Sequence, residues 1–276
     1  MNNFWQRLTT GALFTGLLVC SIILSGWYLH LMMGLLAFLS LQEFYKLFEK
    51  SAYKPDAILG PILGVLIYSF FIYDLQNYLR EESTSWTIVL LLLSFPLIAI
   101  SELYRKKKTP FQNMGITILG IFYLLTPFVL INLLAINPEE KNVIDQIWPV
   151  LAIFLIVWSN DTFAYLIGKQ WGKRRLFERI SPKKSWEGFW GGFLFAIICG
   201  NIIAFFTNEA YVQYTVYAII ISVMGTIGDL IESMLKRSLN VKDSGKILPG
   251  HGGILDRLDA VLFAIPFIYI CHFYLF

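Results

Sequence analysis

The sequence predicts an all-α, polytopic integral membrane protein of about nine transmembrane helices, with its N-terminus in the cytoplasm. Three observations predict it. First, 57% of the 276 residues are hydrophobic and only 15% are charged, where a soluble domain carries about 25% charge. With a mean hydropathy of +0.62, too few polar residues remain to cover a water-soluble globule. Second, the apolar residues come in long unbroken runs. Such runs suit helical spans of roughly 20 residues and not the alternation of a membrane β-barrel. Third, the basic residues fall on one side of those runs.

The apolar windows lie at 10–25, 27–46, 57–74, 85–103, 114–135, 147–168, 187–206, 213–235 and 257–275. Only Ser25, Gly26 and Trp27 separate the first two. Leu17-Leu18-Val19-Cys20 has a faint look of a lipoprotein cleavage site, but Val precedes the cysteine and eight spans follow. The first window is therefore read as a retained helix. With the N-terminus inside, the cytoplasmic segments hold Arg7, then Lys46, Lys50 and Lys54, then the run Arg105 to Lys108. They continue with the basic residues from Lys169 to Lys184, and those from Lys236 to Arg257. Of the 22 Lys and Arg, only Arg80 and Lys141 fall outside, the bias expected of short cytoplasmic loops. Cys20, Cys199 and Cys271 are scattered in apolar runs and read as small buried hydrophobes. No basic domain outside the membrane suggests nucleic acid. Residues 1–140 read as an N-terminal transmembrane region of spans and tether, and 141–276 as a C-terminal transmembrane catalytic region.

Ionisable residues at span ends are costly and point to function. Here they are Asp161 with Asn160 and Ser159 late in the sixth span, Glu187 opening the seventh, and Asp229 and Glu232 late in the eighth. Asp256 and Asp259 begin the ninth. From Asp229, the offsets to Glu232, Ser233, Lys236 and Arg237 place these groups on one helical face, with Gly225 and Gly228 leaving room for a neighbour. An amphipathic helix end with paired charges is the plainer alternative. From Ser244 to Gly253 come four glycines and a proline, with Lys242 just before them and Lys246 among them. Such a loop can turn its N–H groups on a phosphate. Asp256 and Asp259 beside it suit Mg²⁺, which takes one or two carboxylates together with substrate phosphates. Ser185, followed by Glu187, reads as the cap of the seventh helix.

The stretch Ser233-Met-Leu-Lys-Arg, Lys242-Asp243-Ser244-Gly245, Leu248 to Gly253 and Asp256-Arg257-Leu258-Asp259 resembles the signature of the phosphatidate cytidylyltransferases, the CDP-diacylglycerol synthases. A second block agrees: Ser159-Asn160-Asp161, Ala164-Tyr165, Gly168, Ile180 to Ser185, Glu187-Gly188 and Gly191-Gly192. The resemblance implies CTP and phosphatidate as substrates, CDP-diacylglycerol and pyrophosphate as products, and a place in phospholipid biosynthesis. It implies a cell-membrane protein among lipids, with its active site facing the cytoplasm, and leaves a homodimer open. Asp229 and Asp256 are expected as Mg²⁺ ligands; Mn²⁺ and a second cation stay open. Asp259 is expected to bind the metal or orient a ligand. Lys236, Arg237, Lys242, Lys246 and Arg257 are expected at phosphates, as are Lys183 and Lys184, for which membrane anchoring is the alternative. His251 is expected at substrate or as a turn residue. Asn160 and Asp161 are expected to complete the pocket or cap the helix. The rivals are another lipid-phosphate nucleotidyltransferase or kinase using the same site, and a transporter. The gathering of ionisable groups at one interface speaks against the transporter.

Overall fold

A computed structural model describes residues 3–78, 85–135, 143–208, 210–250 and 252–276. Arg80, Lys141 and His251 lie outside the described residues. Among those described, nine helical stretches are long and apolar enough to cross a membrane. They are α1 (Asn3–Leu24), α2 (Gly26–Leu47), α3 (Leu59–Tyr78), α4 (Trp86–Arg105), α5 (Pro110–Leu134), α6 (Val143–Trp171), α7 (Trp186–Thr207), the continuous run of α8 (Tyr211–Ile220) into α9 (Thr226–Ser238), and α10 (Leu255–Leu275). The boundaries follow local chemistry. Ser25, at φ 53°, separates α1 from α2, while Lys106 and Asn208 end α4 and α7 in the left-handed conformation common at helix C-termini. Two features depart from a bare helical reading. A short antiparallel hairpin, β1 (Arg175–Phe177) with β2 (Ser181–Ser185), precedes α7. A π-helical turn, Ile221–Gly225, joins α8 to α9, inside what the sequence presents as one helix.

The chain divides into two compact units: residues 1–133 with 243–256, and residues 134–242 with 257–276. In the first, α2 is the most enclosed helix, with Leu29, Met33, Ala37 and Leu41 buried along one stripe. Tyr45 donates from its hydroxyl to the Thr117 carbonyl at 2.7 Å. His30 Nδ1 lies 2.6 Å from Asn132 Oδ1, and the Asn132 amide donates to Tyr68. His30, which looks isolated in the sequence, thus pins α2 to α5 through a satisfied polar contact. In the second unit, α6 and α7 pack closely. A Cβ on Gly192 would fall 2.6 Å from the Asn160 carbonyl oxygen, so only glycine admits this approach. His272 has a comparable pinning role, 2.6 Å from the Tyr217 hydroxyl. The lipid-facing side is inverted from a soluble protein: Leu92, Phe122 and Phe206 are each more than 70% exposed.

Candidate active site

The second unit gathers most of the expected residues. Its hairpin sets the first of them. Along β2, Lys183 is exposed while Lys184 is partly buried, and the Lys184 ammonium pairs with Asp229 on α9. Ser185 caps α7 as expected, accepting from the Gly188 amide at 3.2 Å. Glu187 closes the turn before the hairpin, accepting from the Lys173 and Arg174 amides at 3.0 and 3.2 Å. It organises the loop that carries the lysines.

On α9 the offsets from Asp229 act as the helical face predicts. Ser233 donates to Asp229 Oδ1 at 3.2 Å, and Lys236 pairs with Glu232 at 3.1 Å. The Lys236–Glu232 pair has the paired charges of the plainer alternative, while Asp229 takes its cation from β2. Lys236 and Glu232 are both buried, whereas the side chains of Asp229 and Lys184 are each 30% exposed. Gly228 brings α9 against α10: a Cβ there would fall 2.8 Å from the Asp259 carbonyl. Asp259 consequently stands in the field of both Glu232 and Asp229. From α6, Asn160 donates to Asp161 Oδ1 at 3.3 Å, and Asp161 feels the charges of Lys184, Asp229 and Arg257. Arg237 is exposed and donates to the Val241 carbonyl, and Lys242 is exposed. The cluster thus combines four carboxylates with Lys184, Lys236 and Arg257.

Asp256 belongs to the first unit. Its Oδ2 accepts from the Ser244 and Gly253 amides, each at 2.9 Å. Leu248 donates to the Gly252 carbonyl at 3.0 Å, closing a turn in which Gly250 and Gly252 take φ of 79° and 85°. Lys246 is exposed on this loop. One residue here is absent from the sequence reading. Glu43, buried in α2, accepts from the Leu255 amide at 3.0 Å and the Ser244 hydroxyl at 3.3 Å. Its signal was a carboxylate inside an apolar window, masked by Lys46 three residues later.

Among the described residues, no three of His, Cys, Asp and Glu converge as a metal cage. Mg²⁺ does not need one, because it keeps waters and substrate phosphates beside one or two carboxylates. Asp229 fits such a role: it is an oxygen donor, partly open, and among the described residues its carboxylate meets the Lys184 ammonium and the Ser233 hydroxyl.

Comparison with known proteins agrees with this chemistry. The chain is 29% identical to the phosphatidate cytidylyltransferase of Haemophilus influenzae over 98% of each chain. It is 34% identical to that of Bacillus subtilis over 82% of each. To that of Staphylococcus saprophyticus it is 35% identical, over 89% of this chain and 90% of the relative. The cytidylyltransferase family matches residues 5–275, and with carboxylates and lysines gathered at the ends of apolar helices, this membrane protein belongs to the cytidylyltransferase family.

Proposed function

We propose that the protein is a phosphatidate cytidylyltransferase, converting CTP and phosphatidate to CDP-diacylglycerol and pyrophosphate. The observation that carries the reading is the grouping of Lys184, Lys236 and Arg257 with Asp161, Asp229, Glu232 and Asp259 in one membrane-embedded unit. In the reaction, an ionised phosphatidate oxygen forms a bond to the α-phosphorus of CTP. The bond from that phosphorus to the bridging oxygen breaks, and pyrophosphate leaves with the electron pair. No proton has to be removed from the nucleophile. Catalysis is then positioning and charge neutralisation.

Lys184 is placed to draw a phosphate towards Asp229, and Asn160 steadies Asp161 beside it. Arg257 adds positive charge, and Lys236 keeps Glu232 compensated. Exposed Lys183, Arg237, Lys242 and Lys246 supply attraction to anions at the surface. Asp229 would hold Mg²⁺, which when bound supplies charge neutralisation to the phosphates; Asp256 is the carboxylate of the first unit proposed for a cation. CTP is water-soluble and phosphatidate lies in the leaflet, so we place the site at the cytoplasmic interface, the side favoured by the basic residues.

The test is turnover by purified protein, with CTP, dCTP or ATP against phosphatidate and a polyprenyl phosphate. Pyrophosphate and CDP-diacylglycerol should appear together, only with phosphatidate and a cytidine nucleotide. Transfer to the polyprenyl phosphate alone, or release of a nucleoside diphosphate, would sink the assignment.

A further inference from the structure

We propose that Glu43, in α2, is a positioning residue for this reaction: it fastens the glycine-rich segment 243–255 and, through Ser244, orients the Asp256 carboxylate. The inference rests on the phosphatidate cytidylyltransferase reading above. Glu43 is 2% exposed and makes no ion pair among the described residues. A carboxylate buried in that way costs several kcal/mol unless hydrogen bonds compensate it. Those bonds all come from one segment. The Leu255 amide, at the start of α10, donates to Oε2 at 3.0 Å, and the Ser244 hydroxyl donates to the same oxygen at 3.3 Å. A carboxylate against a helix N-terminus satisfies an orphan donor and meets the favourable end of the dipole.

The contact continues to Asp256. The Ser244 oxygen accepts from the Asp256 amide at 3.3 Å, while the Ser244 amide donates back to the Asp256 carboxylate at 2.9 Å. Ser244 is therefore held from both sides, and Asp256 cannot rotate without disturbing it. Two glycines make room. A Cβ on Gly245 would collide with Glu43 Oε1, and one on Gly253 with Glu43 Oε2. Glycines that read as a phosphate cradle also serve as the seat of this side chain. Glu43 Oε1 has no hydrogen-bond partner among the described residues, so close fit against the two glycines holds that oxygen. A residue needed only for packing would be apolar at this depth, because leucine fills similar space without the desolvation cost.

The test compares full-length Glu43→Gln and Glu43→Leu in detergent, with amide exchange over 243–256 as a readout independent of turnover. Glu43→Gln keeps an acceptor for Leu255 and should stay within about threefold of wild type in kcat. Glu43→Leu should speed exchange over 243–256 by about tenfold or more. It should lower kcat by about tenfold and raise the Mg²⁺ needed for half-maximal rate at least about threefold, with KM for phosphatidate unchanged. Wild-type exchange and Mg²⁺ dependence in Glu43→Leu would overturn the proposal. So would a wild-type rate per molecule of folded Glu43→Leu protein. If Glu43→Leu does not fold, Gly253→Ala takes its place: it should shift the Mg²⁺ requirement in the same direction, and an unshifted requirement overturns the proposal. Failure of the parent reading shows separately, as a wild-type protein that does not turn over phosphatidate, while amide exchange still reports on the anchor.

Discussion

Lys184 and a divalent cation would compete for the same oxygen of Asp229, because the ammonium already sits on Oδ2. The pair is partly exposed, so the competition is worth no more than about 1 kcal/mol, a factor of roughly two to five. Two effects of opposite sign should therefore separate in Lys184→Gln. Less Mg²⁺ should be needed for half-maximal rate, while KM for CTP should rise about two- to fivefold. Asp229→Asn should instead lower kcat at least about 10²-fold, as does removal of a key electrostatic group, and the protein should still extract and fold. Steady-state kinetics across a Mg²⁺ series distinguish them; an unchanged Mg²⁺ dependence in Lys184→Gln would mean that the lysine does not share the carboxylate with the metal. Neither partner could be chosen from sequence. Lys184 and Asp229 lie in separate motifs, and α9 offered Lys236 and Arg237 at closer spacing.

At the scale of elements, what was legible is local. Ser185 as a cap, the helical face from Asp229 to Lys236, and the breaks at Ser25 and Lys106 all depend on a few neighbouring residues. The hairpin of β1 and β2 and the π-helical turn were not legible. A three-residue strand such as Arg175–Phe177 carries no period of its own, and an extra residue in an apolar helix leaves no mark on hydropathy. The same is true of the start of α3. There Asp56 Oδ1 accepts from the Leu59 and Ile58 amides at 2.9 and 3.1 Å, and its Oδ2 accepts from Ser101 at 2.6 Å. Burial pushes the Asp56 carboxyl up, but the Ser101 hydroxyl, those two amides and the Arg105 guanidinium outweigh it and hold it below the ordinary range. A depressed carboxyl adds stability that is present above its unfolded value, near 3.9 as a rough reference, and is lost as pH falls through the folded value. Asp56→Asn should thus lower stability by about 1 kcal/mol at pH 7. Thermal unfolding in detergent should show that gap closing below about pH 4. A gap that stays constant with pH would mean the charge contributes nothing.

For the whole molecule, composition and run length sufficed to reveal the membrane spans, because hydrocarbon imposes one simple demand on every helix that crosses it. They could not reveal which unit each segment joins. Residues 243–256 carry much of the family signature, yet they cluster with residues 1–133, a region that reads as spans and tether. The orientation in the membrane rests on the basic residues alone and can be measured. In a background lacking Cys20, Cys199 and Cys271, Lys107→Cys and Arg174→Cys should react with an impermeant thiol reagent only after the cytoplasmic face is opened. Glu140→Cys should react from outside in intact cells. The reverse pattern would invert the topology and move the proposed site to the wrong side for CTP.

The bonds from Ser244 and Leu255 to Glu43 span 201 and 212 positions of chain. Closing so long a loop costs entropy that grows only slowly with its length, so the greater burden falls on time. A ribosome adds roughly 5–20 residues each second. On that scale about ten to forty seconds pass between synthesis of α2 and synthesis of the donors that satisfy its carboxylate. Throughout that interval the nascent first unit has an acidic group in an apolar helix without its eventual partners. Completion of this unit therefore waits until residues 244 and 255 have been made, and a chain arrested before residue 244 lacks both donors.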